Sequence, residues 1–243
     1  MSFILITTLI VLMLLLLIIL NYFYNYFLMS SEPLAWKEAI KKGEVTCSLR
    51  KLKKRYPFKI RFYTWWLQNE RLKAEKIPGA FAEVGVYKGE SAAILHALDP
   101  DRELHLFDTF SGFPASDLEG ETGEASTYTT ENFADVSLTD TIKRVAGKDN
   151  IHVHKGYFPD TASGLEVKRF ALVNLDADLY KPTRAALEFF YPSLSPGGVI
   201  FIHDYNHKWP GIIKAVNEFA RKIPESIVLM PDADGTVLIV KNK

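Results

Sequence analysis

The sequence predicts an open α/β fold, a mostly parallel sheet flanked by helices, with one long apolar helix ahead of it. Three observations predict it. From residue 80 onward, short apolar runs alternate with helical patterns, as right-handed βαβ units require. Two of those runs, residues 172–175 and 199–202, are rich in β-branched residues and end in the polar clusters Asp176-Ala177-Asp178 and His203-Asp204. Buried parallel strands deliver polar residues to one sheet edge in this way, and that edge is where such folds bind ligands. Residues 3–20 are almost unbroken Leu, Ile, Val and Met, and the first charged residue is Glu32.

In chain order, residues 3–20 are long enough, at ~1.5 Å per residue, to span roughly the ~30 Å hydrocarbon core of a bilayer. Residues 21–27, with five aromatic side chains, follow as a belt for the lipid–water boundary. Residues 1–29 therefore read as a single transmembrane anchor. A cleaved signal peptide would carry a basic leader and a small-residue cleavage site, and bulky aromatics stand there instead. No Lys or Arg precedes the span, whereas Lys37, Lys41, Lys42, Arg50 and the cluster Lys51-Leu52-Lys53-Lys54-Arg55 follow it. That asymmetry places the rest of the chain on the cytoplasmic side. A lone cysteine, Cys47, suits a reducing compartment. The basic cluster reads either as a patch for anionic headgroups or as a solvated helix face.

Residues 30–79 form a helical preface and lid, broken at Pro57 and closed by Pro78-Gly79. The domain at 80–243 then has expected strands at 80–86, 103–107, 151–154, 170–175 and 199–202, and helices at 91–98, 138–146, 183–194 and 212–223. Residues 226–230 and 237–240 flank Pro231-Asp232-Ala233-Asp234-Gly235, a hairpin signal that closes the sheet with antiparallel strands. Residues 109–135 are rich in Gly, Ser, Thr and Glu and lack apolar periodicity, so they read as a lid or binding loop. With 243 residues, 48% hydrophobic content and zero formal net charge, the chain has a sizeable core and no basic footprint for nucleic acid.

The chemistry concentrates at strand ends. Glu83-Val84-Gly85-Val86-Tyr87-Lys88-Gly89-Glu90-Ser91 follows the first strand, and Gly85, Tyr87, Gly89 and Ser91 read as a cofactor-binding turn. It lacks both the three-glycine dinucleotide fingerprint and the ending of a phosphate loop. Glu83 would repel a phosphate and suit a cationic sulfonium amino acid. Asp108 ends the second strand, where an acid commonly binds ribose hydroxyls. Gly156, Tyr157 and Phe158 follow the third strand and offer an aromatic surface to adenine or form a plain turn. Asp176 and Asp204, with His203 as a third ligand, would hold Mg²⁺ or another divalent ion, leaving Asp178 as general base. His96, His105, His152, His154 and His207 read as satisfied surface or core side chains.

Four segments together resemble the macrocin O-methyltransferase family: residues 83–89, residues 107–114, Asp176-Ala177-Asp178-Leu179-Tyr180 and His203-Asp204-Tyr205. The resemblance covers about residues 81–243. It implies a Rossmann-like class I methyltransferase fold, with a mostly parallel seven-stranded sheet ending in an antiparallel hairpin. It also implies S-adenosylmethionine contacts at Glu83, Gly85 and Asp108, a metal at Asp176 and Asp204, and proton abstraction by Asp178. Known family members carry two adjacent acids where this chain has His203-Asp204, and an imidazole ligand would shift preference toward a softer metal. The expected activity is metal-dependent methylation of a sugar or polyol hydroxyl, on a small-molecule or glycan acceptor at the membrane; a homo-oligomer is compatible with it. The alternatives are a membrane-anchored glycosyltransferase using Asp176-x-Asp178, and a tethered binding protein that keeps the fold without chemistry.

Overall fold

A computed structural model describes residues 2–30, 32–146, 149–165 and 168–242. The chain divides into two compact units, Met1–Thr46 and Cys47–Lys243. The first holds α1 (Ser2–Ser30) and α2 (Leu34–Lys41). Within α1, Phe3–Tyr24 has a mean hydropathy of 3.4 and none of its side chains is buried. By length and composition this helix can cross a bilayer.

The second unit begins with α3 (Cys47–Arg55) and α4 (Lys59–Ala74), which lie in the same compact body as the sheet. There follow β1 (Ala80–Val84), α5 (Glu90–Leu98), β2 (Leu104–Asp108), α6 (Ala115–Leu118), α7 (Leu138–Val145) and β3 (Ile151–Lys155). The chain ends with β4 (Phe170–Leu175), α8 (Tyr180–Ser193), β5 (Leu194–Ile202), α9 (Pro210–Ala220), β6 (Val228–Leu229) and β7 (Val237–Val240). The strands form one seven-stranded sheet in the order β3-β2-β1-β4-β5-β7-β6. The first five are parallel and β7 runs antiparallel to β5 and β6, so the expected closing hairpin is present.

The two sheet faces differ in chemistry because strand side chains alternate. On one face Val84, Val173, Ile200 and Ile202 pack with the α8 side chains Leu187 and Phe190 in a buried core. Phe190 meets Phe170 edge-on at 5.0 Å and Phe107 at 5.8 Å. On the other face α4 packs on β5, with the Trp65 ring 6.5 Å from Phe201 and 5.9 Å from His203. That second face carries Glu83, Asn174 and His203, all buried.

Candidate active site

The order reverses between β1 and β4, and the cavity opens where their ends diverge. Gly85 turns the chain there with φ +83°, and a Cβ on it would run into the backbone carbonyl of Asp176. Only glycine fits that approach. Asp108 holds the turn together: its Oδ2 accepts the amides of Val86 (2.7 Å) and Tyr87 (2.8 Å), and its Oδ1 accepts that of Phe110 (2.6 Å). These bonds keep Tyr87 and Phe110 at positive φ, 48° and 51°. An ionised carboxylate offers about four acceptor positions, so one remains for a ligand. Gly89 is also constrained by packing, since a Cβ there would meet the Thr141 side chain of α7.

The cavity measures about 430 Å³, within the usual range for small-molecule sites. Gly85, Tyr87, Gly89, Ser91 and Asp108 line it, as expected from sequence, and so do Gly156, Tyr157 and Phe158. Asp176 and Asp178 lie on its floor. Across its mouth the segment 109–135 folds on itself: Phe113 stacks on Tyr128 at 5.4 Å, and Phe133 meets Phe113 and Tyr87 edge-on. Glu121 of that segment accepts the amide of Tyr180 at the start of α8 (2.6 Å).

The carboxylates of Asp176, Asp178 and Asp204 converge, each offering an oxygen within 4.8 Å of the others. Burial raises all three pKa values; it holds Asp204 at about 9 with help from the charges of Asp176 and Asp178, and raises Asp178 well above its usual range. Asp178 and Asp204 are also kept at φ 59° and 60°, a backbone strain of the kind stored at functional sites. A group of hard oxygen donors that repel one another fits a divalent cation such as Mg²⁺.

Two expectations need correction. His203 does not join this cluster: it is buried, its Nε2 lies 2.6 Å from the side-chain oxygen of Asn174 and its Nδ1 lies 3.0 Å from Thr236 Oγ1. With both nitrogens committed it offers no lone pair to a metal, and the donor set is all oxygen. Glu83 does not line the cavity. It is fully buried behind the turn, Oε1 lying 2.8 Å from the Asn174 side-chain amide, and burial pushes its pKa up to about 8. A mostly neutral acid at pH 7 exerts little pull on a sulfonium or ammonium group.

Both residues belong to a buried polar chain that crosses four strands. Arg61 of α4 pairs with Asp232 (3.2 Å) and Asp234 (3.3 Å) of the hairpin turn. Asp232 accepts the amide and hydroxyl of Thr236, Thr236 meets His203, His203 meets Asn174, and Asn174 meets Glu83. Thr236 gives its single hydroxyl proton to Asp232, so Nδ1 of His203 must be the donor to Thr236. Burial holds the His203 pKa well below its usual value, so the ring is neutral and Nε2 is an acceptor. Its partner must then be the amide nitrogen of Asn174, whose oxygen turns to a protonated Glu83; oxygen and nitrogen of an amide are isosteric.

Sequence reasoning missed Tyr56, Arg61, Asp232 and Asp234. Tyr56 and Arg61 line the cavity beside Asp176, and the Arg61 charge offsets part of the rise at Asp176 and Asp204. The available signal was a lone Arg in the aromatic stretch 58–66, opposite two acids in a tight turn.

Residues 65–237 match the macrocin-O-methyltransferase family. An 8-demethyl-8-(2,3-dimethoxy-alpha-L-rhamnosyl)-tetracenomycin-C 4'-O-methyltransferase of Streptomyces olivaceus is 30% identical over 56% of this chain and 56% of its own length. A mycinamicin III 3''-O-methyltransferase of Micromonospora griseorubida is 31% identical over 59% of this chain and 61% of its own. The chain thus matches little more than half the length of these curated relatives. The solved structure of the O-methyltransferase NovP superposes with a TM-score of 0.68 at 23% identity, over 76% of this chain and 80% of that one, which shows the shared fold. The match to a methyltransferase family removes the ground for reading Asp176-x-Asp178 as a glycosyltransferase motif. The chain belongs to the macrocin-O-methyltransferase family.

Proposed function

We propose that the chain is an S-adenosylmethionine-dependent O-methyltransferase that acts on a hydroxyl of a sugar or similar polyol, with a divalent metal at Asp176 and Asp204 and Asp178 as general base. The convergence of Asp178 with those two carboxylates, Asp176 and Asp178 lining the cavity, supports this most directly. The Gly85 approach, the remaining acceptor position on Asp108 and the aromatic wall at Tyr157 and Phe158 fit a nucleoside sulfonium cofactor. When bound, that cofactor supplies an electrophilic methyl group and the ion supplies Lewis acidity toward a neighbouring hydroxyl. Asp178 accepts the hydroxyl proton, its raised proton affinity bringing it nearer the working pH. Asp176 and Asp204 hold the cation, and Arg61 limits their mutual repulsion. Segment 109–135 covers the cavity and keeps water from the reacting groups. The relatives named above methylate sugar hydroxyls of glycosides, in keeping with this acceptor class.

The apolar helix α1 supports a further part of the reading, a single-pass anchor with the catalytic unit on the cytoplasmic side and a membrane-associated acceptor. The test of the chemistry uses the full chain in detergent. Asp178→Asn should bind S-adenosylhomocysteine within about threefold of wild type in calorimetry and lose on the order of 10²-fold or more in kcat. An active Asp178→Asn enzyme removes Asp178 as base, and failure of the wild type to bind the cofactor removes the methyltransferase reading.

A further inference from the structure

At the opposite end of the sheet a second group of ligating side chains has no part in this chemistry. Glu103 precedes β2, His105 lies within it, and both face the α8 side because residues two apart in a strand share a face. His152 of the edge strand β3 pairs in register with His105, their rings stacked at 4.7 Å. One donor atom from each of Glu103, His105 and His152 lies within 4.8 Å of the others. His105 Nε2 is buried and has no hydrogen-bond partner among the described residues. Glu103 Oε2 stands 3.6 Å from it, too far for a hydrogen bond. Two ligands of a tetrahedral ion, each ~2.1 Å from it, stand about 3.4 Å apart. A small closure of His152 therefore completes a three-ligand site.

We infer that Glu103, His105 and His152 form a second metal site, for a late first-row divalent ion of the Zn²⁺ class, with water in the fourth position. Two imidazoles with one carboxylate favour such an ion over Mg²⁺. His154 is the supporting residue: its Nε2 lies 2.9 Å from His105 Nδ1 and fixes the ring, as outer partners of ligating histidines do. With the proton on Nδ1, Nε2 presents its lone pair. Burial and the neighbouring Lys168, His152 and His154 charges lower the His105 pKa to about 4, so the ring is in its ligating form at neutral pH. Lys168 is ion-paired with Glu103 through partly exposed side chains. Such partly exposed pairs contribute little, and a metal ion can displace the ammonium. The bound ion would clip the edge strand β3 to β2.

The test is Zn²⁺ titration of the full chain in detergent, with Co²⁺ as spectroscopic probe, in an Asp176→Asn/Asp204→Asn background that removes the acidic cluster. The inference expects one ion per chain with the visible absorption of four-coordinate Co²⁺. His152→Gln, at a partly exposed position, should weaken binding tenfold or more, and Lys168→Met should tighten it. Circular dichroism checks that each variant is folded. No binding in that background, or binding that His152→Gln leaves unchanged, overturns it.

Discussion

Burial gives Glu83 a pKa of about 8 in place of the usual 4.5. Between those values the native chain keeps a proton that the unfolded chain has released. Glu83 therefore contributes stability that is fully present below about pH 4.5 and is lost as pH rises through about 8. The slope reaches at most about 1.4 kcal/mol per pH unit. Glu83→Gln keeps a neutral group of the same shape, so its melting temperature should hold between pH 5 and 9 relative to that of wild type, which should fall. Parallel melting curves for the two proteins would mean that Glu83 ionises without penalty. The other buried acids are common to both and cancel in the comparison. The position of Glu83 at the end of a strand was readable in the sequence. Its protonation was not, because it follows from burial, which only the folded sheet and the elements packed on it provide.

The segment 109–135 folds on itself with only the short helix α6 and a single 3-10 turn at Gly123–Thr127. Gly112 sits at φ +86°, and a Cβ there would collide with the carbonyl of Thr130, so the two arms of the segment meet at that glycine. Gly112→Ala should open the cover and leave the sheet intact. The expected signs are new proteolytic cleavage within 109–135 and cofactor affinity weakened about tenfold, from a strain of ~1–3 kcal/mol, with unchanged far-ultraviolet circular dichroism. Cleavage and affinity like those of wild type would show that the segment does not cover the bound cofactor. That it departs from the strand–helix rhythm was legible in its composition, whereas its aromatic cluster of Phe113, Tyr128 and Phe133 was not, since those residues share no period. Most strands were legible to within a residue or two; β6 is shorter than expected, Val228–Leu229 within the expected 226–230, and β5 longer. β5 begins at Leu194, five residues ahead of the apolar run, because Leu194 pairs with Phe170 while Pro196 points to solvent. At Pro196 the strand is not yet paired with β7, whose ladder starts at Val199, and proline is tolerated there.

For the whole molecule, the proposed anchor rests on α1, whose length and composition suit a bilayer. Leu12→Lys/Leu15→Lys places two charges mid-helix, each costing about 2.5–3.5 kcal/mol on an insertion scale. The doubly substituted chain should leave the membrane pellet on carbonate extraction, while the wild type stays; equal partitioning of both would refute the anchor. The long apolar helix and the parallel strands were visible in the sequence because each is written in its own contiguous run. The supporting polar chain was not, since its members come from α4, β1, β4, the end of β5 and the hairpin turn, and only the folded topology brings them into one line. That line also shapes how the protein can change over time. Removing any one member strands a partner in a dry interior, at a cost of about 1–3 kcal/mol for a neutral group and more for Arg61 or Asp232. Replacing neighbours together by apolar residues of matching volume can be almost neutral. Arg61, Asp232, Thr236, His203, Asn174 and Glu83 thus form one epistatic unit: its single substitutions lie in a fitness valley, and drift across it proceeds by coordinated exchange.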